Sequence, residues 1–428
     1  MIARPGEWSP HGGSNNVSSN SLSSRVPGLT SPARTVPLAD AVLRLIWEQK
    51  RISRADIARR ADLSRSTVSE IVAEHLASGL VSEAGIGASR GGRRPIVLEF
   101  RDDACVILGV DLGASHISVV LTDLRGRVLA WERREHPVRT DPEGTTPLVL
   151  AMCEASLSSV PRARQRLVGI GVAVPSPVDP RHPERLSTLA MPNWGGAHHL
   201  DELKRQFDAP VFVDNDANLG ALAEYWWGAA RGLADFAYIK IATGIGSGHF
   251  VGGRIYRGSN GFAGEIGHLA IDPRGELCVC GNRGCLVTLV GGHALTRRVR
   301  ELSLEFPSSL LANTEPTFTA IEEAALANDP VAVQVVREAA EYLGIAISGM
   351  LNLLNPSAVI LGGGLSRVGE RLLQPLRETV RSRTFVSVLA SSDLMVSALG
   401  PRAVAIGAAT LVLDAALSEP RLFPTASP

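Results

Sequence analysis

The sequence predicts two folded units in tandem, an α+β winged helix-turn-helix domain over residues 36–101 and a larger α/β domain over residues 104–428. Three observations predict it. Residues 38–80 carry apolar side chains at helical spacing, broken by short capped turns. Two short apolar runs then flank a turn rich in Gly and Arg. From about Cys105 onward, strand-like runs alternate with helical patterns, the signature of an α/β sheet. A chain of 428 residues also exceeds one ordinary core.

Residues 1–35 are rich in Ser, Pro, Gly and Asn and lack apolar periodicity, so a disordered tail is expected there. Leu38 to Gln49 places apolar residues on one helical face. Ser53 followed by Asp56 reads as a cap for a short helix through Arg60. Ala61-Asp62-Leu63 forms the turn, and Ser64 caps a third helix to about Ser78, stopped by Gly79. Two short helices joined by a tight turn lay the second across a DNA major groove. Its first turn holds Ser64, Arg65, Ser66 and Thr67; Arg65 suits guanine, and the hydroxyls suit phosphates. Val81 to Glu83 and Ile96 to Phe100 pair around a tip from Gly85 to Pro95. Arg90, Arg93 and Arg94 in that tip have the composition of a wing that slides arginines into a minor groove. A solvated helical bundle with a basic loop is the competing reading.

Charge agrees with the first alternative. The whole chain is formally neutral, yet residues 34–101 hold 12 Lys or Arg against 8 Asp or Glu. No run reaches the roughly 18 apolar residues of a membrane helix, and no basic segment leads a hydrophobic one at the N-terminus. A cytoplasmic protein without a membrane partner is expected.

In the α/β domain, Cys105 to Leu112, Ile117 to Asp123 and Arg127 to His136 read as a strand meander turning at Arg125-Gly126. Further strands are expected at Leu167 to Val174, Val211 to Asp214, Phe236 to Ala242 and Ala358 to Leu361. Asp329-Pro330 starts a long helix to about Leu354, with Asp as cap and Pro at the first helical position.

Asp214-Asn215-Asp216-Ala217-Asn218 follows one of those strands, where α/β folds place ligands. A carboxylate there accepts a proton or a hydrogen bond from a hydroxyl, although such clusters are more often plain turns. Gly261 to His268 adds Glu265 and an imidazole beside glycines that allow close approach. Five cysteines suit no simple disulfide framework, and three lie at Cys278, Cys280 and Cys285. With His268 they supply the four ligands of a tetrahedral structural zinc; the alternative is free core thiols and a surface histidine. With zinc bound, one ring nitrogen of His268 holds the metal and the other faces the ligand.

These motifs resemble the ROK family of sugar kinases and repressors across about residues 104–428. The match runs through Gly169 to Asp179, the Asp216 loop, Thr243 to Gly248, the Glu265 and His268 motif, the cysteine cluster and Asn355 to Gly364. Ile52 to Val81 and Gly92-Arg93-Arg94-Pro95 resemble the N-terminal domain of the repressors. The resemblance implies an actin-like, ribonuclease H-like fold of two lobes closing on a sugar cleft. Asn215, Asp216, Glu265 and His268 would hold the sugar, with Ser176 at the rim.

Family kinases resemble Asp-x-Gly-Gly-Thr in their first phosphate loop, whereas this chain reads Asp111-Leu112-Gly113-Ala114-Ser115-His116. Asp111, Gly113, Thr243, Gly244, Gly246 and Gly363 are therefore read as vestigial nucleotide loops. Val287 stands where the family has a sugar-gripping glutamate. The expectation is a repressor, not an enzyme, that binds double-stranded operator DNA under control of a sugar or sugar phosphate. It carries structural zinc and forms a homodimer or homotetramer. The alternative is an ATP-dependent sugar kinase with a DNA-binding appendage and Asp216 as its catalytic base.

Overall fold

The computed structural model describes residues 37–86, 95–197, 200–384 and 392–424. The expected N-terminal tail and the wing tip bearing Arg90, Arg93 and Arg94 lie outside the described residues.

Helix α1 (Leu38–Gln49) buries Val42, Leu43, Leu45 and Ile46 on the face its spacing predicts. A short strand β1 (Arg51–Ser53) leads into α2 (Arg54–Ala61), where Ser53 Oγ accepts from the Asp56 amide at 3.1 Å. Asp62, in the left-handed region at φ 54°, ends α2 and turns the chain into α3 (Arg65–Ala77). Ser64 Oγ caps α3 by accepting from the Thr67 amide at 3.1 Å. His75 on α3 donates to the Ala39 carbonyl at 3.0 Å and ties the third helix to the first. Strands β2 (Val81–Ile86) and β3 (Ile96–Phe100) pair antiparallel as the expected hairpin. β1 joins β3 to give the order β1-β3-β2. Three residues are too few for an alternating pattern to reveal β1 in the sequence.

The first lobe begins with the predicted meander, β4 (Val106–Leu112), β5 (His116–Asp123) and β6 (Val128–Glu135). Helix α4 (Pro142–Ser158), β7 (Leu167–Val174), α5 (Asp201–Phe207) and β8 (Val211–Asn215) follow, and then α6 (Asp216–Trp227). The second lobe opens on another meander, β9 (Phe236–Ile241), β10 (Ile245–Val251) and β11 (Arg254–Tyr256). It continues through α7 (Leu286–Val290), α8 (Gly292–Ser303), α9 (Phe318–Leu326) and α10 (Pro330–Leu354). β12 (Ala358–Gly363), α11 (Glu370–Arg383), β13 (Asp393–Val396) and α12 (Ala403–Ser418) complete it. The sheets have the orders β6-β5-β4-β7-β8 and β11-β10-β9-β12-β13. Each is an antiparallel meander whose first strand continues into two parallel strands. This repeated order is the actin-like, two-lobed fold that the resemblance implied.

Strand β10 differs from the expectation. Thr243 to Gly248 reads as a loop because it is rich in glycine, but only Thr243-Gly244 forms the turn. Gly246 and Gly248 lie inside the strand, facing α6. A Cβ at Gly248 would lie 2.4 Å from the Ala217 carbonyl oxygen, so the glycine serves helix-on-strand packing.

The two lobes exchange helices. α6 leaves the first sheet yet packs on β9 and β10, while α12 follows the second sheet yet packs on β4 and β7. The helices meet between the sheets at glycines that let backbones touch. A Cβ at Gly171 would lie 1.8 Å from the Ala408 carbonyl oxygen, at Gly109 2.0 Å from that of Ala405, and at Gly407 1.8 Å from that of Leu219. The segment Gly400–Ser418 is apolar enough by composition to cross a membrane, with mean hydropathy 1.3, and its burial between the lobes accounts for that. The N-terminal unit, residues 37–100, shares a core with this region: Val42, Ile46 and Leu98 join one cluster with Ala409, Leu413, Leu417 and Phe423. Because α12 cannot retreat from the sheet, Gly171→Ala should destabilise the chain by about 3 kcal/mol. Urea unfolding followed by far-ultraviolet circular dichroism measures this; an unchanged midpoint would contradict it.

Candidate functional site

The end of β8 delivers Asn215, whose side-chain oxygen accepts from the Ala217 and Asn218 amides at 2.9 and 3.1 Å and so caps α6. Its amide nitrogen donates to the Ser176 carbonyl at 3.1 Å. Both polar groups of Asn215 are thus engaged in positioning the start of α6. Ser176, placed at the cleft rim by the resemblance, is 1% exposed. Its hydroxyl donates to the Pro177 carbonyl and accepts from the Ser187 amide. Together they fix Asp216 at the first position of α6, where the helix dipole favours an anion.

Asp216 Oδ2 accepts from Lys240 Nζ at 2.7 Å, and Nζ lies 3.9 Å from Asp111 Oδ1. Asp111 Oδ2 in turn accepts from His116 Nε2 at 3.2 Å. Lys240 stands on β9 and Asp111 on β4, so this chain of charges crosses from one lobe to the other. Burial acts to raise Asp111, but the Lys240 ammonium and the His116 hydrogen bond outweigh it and hold the carboxyl near 2. Burial opposes the charge on Lys240, yet Asp111 and Asp216 keep its affinity for the proton above the usual value. The sequence reading missed Lys240. The available signal was a lone lysine inside Phe236 to Ala242, a run predicted as buried strand. It also assigned nothing to Asp214, which is buried, ion-paired to Arg257 and bonded to Asn218.

Glu265 begins the turn that carries Ile266–His268. Burial, and then the charge of Asp216, push its carboxyl up to about 7, so the two predicted acids face one site. Gly264, at φ 97°, brings this turn against β10; a Cβ there would lie 1.9 Å from the Ser247 carbonyl oxygen. Val287 lies in the first turn of α7, directly after Cys285.

His268, Cys278, Cys280 and Cys285 converge, with all ligand atoms within 4.8 Å of one another. Cys278 Sγ is 3.5 Å from His268 Nδ1, and Cys280 Sγ is 3.6 Å from Cys285 Sγ. A tetrahedral zinc with Zn–S bonds of about 2.3 Å requires sulfur pairs about 3.8 Å apart, so the spacing fits. The chemistry fits as well. Burial lowers His268 and keeps it neutral, the ligating form. Burial and the neighbouring sulfurs push the Cys285 thiol up to about 12, a crowding that a dication relieves.

The other predicted loops meet at the same strand ends. Asp111 is the penultimate residue of β4 and Gly113 follows the strand; Thr243 and Gly244 form the β9–β10 turn; Gly246 pairs with Lys240; Gly363 pairs with Ile241. The His116 ring lies against Gly113, 2.2 Å from where a Cβ would stand. In the N-terminal unit, Arg65 and Ser66 are exposed at the start of α3, and Ser64 is occupied as the cap, its hydroxyl 2.8 Å from those of Ser66 and Thr67.

Glu265 yields a pH dependence. Its folded-state affinity for a proton is raised from an ordinary value of 4.5 to about 7. The stability it contributes is therefore complete below the lower value and is lost as pH rises through the upper one. Glu265→Gln should leave stability unchanged at about pH 4 and raise it by about 2 kcal/mol at about pH 8. Thermal unfolding across that range would show it; a parallel pH profile for both proteins would contradict it.

The ROK family pattern matches residues 107–415. A xylose repressor of Caldicellulosiruptor bescii is 33% identical over 385 residues, covering 89% of this chain and 96% of that protein. An N-acetylglucosamine repressor of Escherichia coli O6:H1 is 32% identical over 380 residues, covering 88% of this chain and 92% of its own. A solved ROK family transcriptional regulator, described as a homolog of the E. coli MLC protein, superposes with a TM-score of 0.75 at 28% identity, over 90% of this chain and 96% of that one. A ROK family glucokinase from Streptomyces griseus, solved with glucose and AMPPNP, gives 0.62 at 32% identity, covering 72% of this chain and 98% of the kinase. Motifs, repeated sheet order and this similarity over most of its length agree: the chain belongs to the ROK family.

Proposed function

We propose that this protein is a cytoplasmic, sugar-responsive repressor: the α2–α3 helix pair reads double-stranded operator DNA, and a sugar or sugar phosphate in the interlobe cleft changes that affinity. The observation that carries the reading is coverage. The repressors match along nearly their whole length, reading head included, whereas the glucokinase is matched almost entirely yet leaves more than a quarter of this chain outside. Asp216 accepts from sugar hydroxyls, Glu265 presents a second carboxyl, and His268 offers the ring nitrogen that the metal leaves unused. Binding favours one arrangement of the lobes and so resets the reading heads of a homodimer or homotetramer. D-xylose, N-acetylglucosamine and N-acetylglucosamine 6-phosphate are the first compounds to test, by thermal protection and by release from DNA.

The nucleotide half of the cleft supports a sensor over a kinase. Phosphoryl transfer needs open loops for phosphates and a metal. Here His116 covers Gly113, Lys240 stands between Asp111 and Asp216, and the Phe318 ring packs on Gly292 and Gly364. The degenerate first loop is thus filled by the chain's own side chains. ATP turnover with any sugar in the panel, lost in Asp216→Asn, would establish the kinase instead.

The cysteine cluster is the seat of a structural zinc held by His268, Cys278, Cys280 and Cys285. When bound, the ion fixes the Glu265–His268 turn and holds His268 in one tautomer. Cys280→Ser should remove bound zinc, read by elemental analysis, and weaken the sugar response at least about tenfold; full response without zinc would sink the link. Arg65→Ala should cost DNA affinity by about 1–3 kcal/mol and relax sequence preference, while thermal protection by sugar stays intact. Unchanged affinity in a gel-shift titration would exclude the docking of α3.

A further inference from the structure

Helix α6 has its two ends in two different places. Its first residue is Asp216, in the cleft; its last two are Trp226 and Trp227. Twelve residues at about 1.5 Å each make a strut of about 18 Å. The far end meets Trp47 of the DNA-reading unit, whose ring centroid lies 5.2 Å from that of Trp226 and 6.2 Å from that of Trp227. We propose that Trp226 and Trp227 are positioning residues that carry the state of the Asp216 end to the reading head, with α6 moving as one body against Trp47. The proposal rests on the function proposed above and names the route of its regulation.

The strut is stiff because nothing along it has room to bend. Ala217 to Glu224 are all buried. Gly248 of β10 and Gly407 of α12 each touch α6 backbone, and Gly220 lies against the Tyr238 ring. A displacement at Asp216 therefore cannot be absorbed within the helix and reappears at its end. The receiving end is equally constrained. Trp227 Nε1 donates to Thr410 Oγ1 at 2.8 Å, and the turn at Gly126, φ 69°, lies on the Trp227 ring. That turn also grips Trp47. The Trp47 indole donates to the Leu124 carbonyl at 3.0 Å, and the Arg125 guanidinium sits 4.4 Å from the Trp47 ring centroid. Arg125 donates to the Trp47 carbonyl at 2.6 Å and to Asp102 at 2.7 Å. Movement of the indoles against this clamp re-aims α1, and α1 packs on α2 and α3. A second link, Arg44 of α1 to Asp414 of α12 at 3.1 Å, bypasses α6 and supplies a control.

The test uses the full chain in wild-type, Trp47→Leu, Trp226→Leu, Trp226→Phe and Arg44→Gln forms, each with and without Asp216→Asn. Coupled indoles give a near-ultraviolet circular dichroism signal, isolated as wild type minus Trp226→Leu. Asp216→Asn should change that signal, and so should D-xylose or N-acetylglucosamine, whichever gives thermal protection. The second readout is affinity for a fluorescent duplex selected by the wild-type chain from random sequence. The sugar should shift wild-type affinity by about tenfold or more. Trp47→Leu and Trp226→Leu should reduce the shift to less than about twofold while each still binds sugar and duplex; Arg44→Gln should keep it. Trp226→Phe, which preserves packing, decides the matter if the leucine variants fail to fold. An indole signal indifferent to Asp216→Asn and to sugar overturns the strut, as does a full response in the tryptophan variants. Failure of the wild-type chain to bind any duplex overturns the repressor reading instead, and the indole signal still decides whether α6 moves.

Discussion

The molecule is organised by a contact between backbones. Helix α12 lies against α6 at Gly407, and the two helices press on their sheets at Gly109, Gly171 and Gly248, because none of these glycines carries a Cβ where a carbonyl oxygen stands about 2 Å from its place. That contact fixes the distance between the lobes, and so the width of the cleft at Asp216. It also fixes where the N-terminal unit docks, because α1 and β3 share one apolar cluster with α12. Packing this close leaves no slack to absorb a perturbation, so a change at one end of either helix is felt at the other.

Electrostatics divides the cleft. On one side, Asp111, Lys240 and Asp216 alternate in sign and satisfy each other across the lobe boundary. On the other, Glu265 is raised by burial and by the charge of Asp216, with no cation among the described residues lowering it. A neutral, hydroxyl-bearing ligand suits such a site, because hydroxyls donate to Asp216 and accept from the protonated Glu265. The ammonium of Lys240 gives the lobes a reason to stay together before any ligand arrives.

Much of this was legible in the sequence. The meander, Leu167–Val174 and the Asp329-capped helix were readable because their residues follow the periodicities of strand and helix without interruption. The helix-turn-helix was readable because Ser53 and Ser64 are caps with a local mechanism. The cysteine cluster was readable because its four ligands are close in sequence. Other features were not. Gly246 and Gly248 look like loop glycines unless the helix that presses on them is known. The hydrogen bonds that tie Asn215 and Ser176 to backbone leave no mark in the local pattern. Lys240 and the three-tryptophan node depend on partners far away in the chain, and local pattern carries no record of those.

The exchange of helices also has a consequence for synthesis. The first sheet is complete once β8 has left the ribosome, but one of its faces stays bare until α12, nearly 200 residues later, is made. The N-terminal unit is made before either sheet and waits for that same helix to provide its seat. The chain thus acquires its shape in a closing step, when its last turns seal what its first hundred residues began, and a nascent protein stalled near residue 400 presents an apolar face that a chaperone must shield.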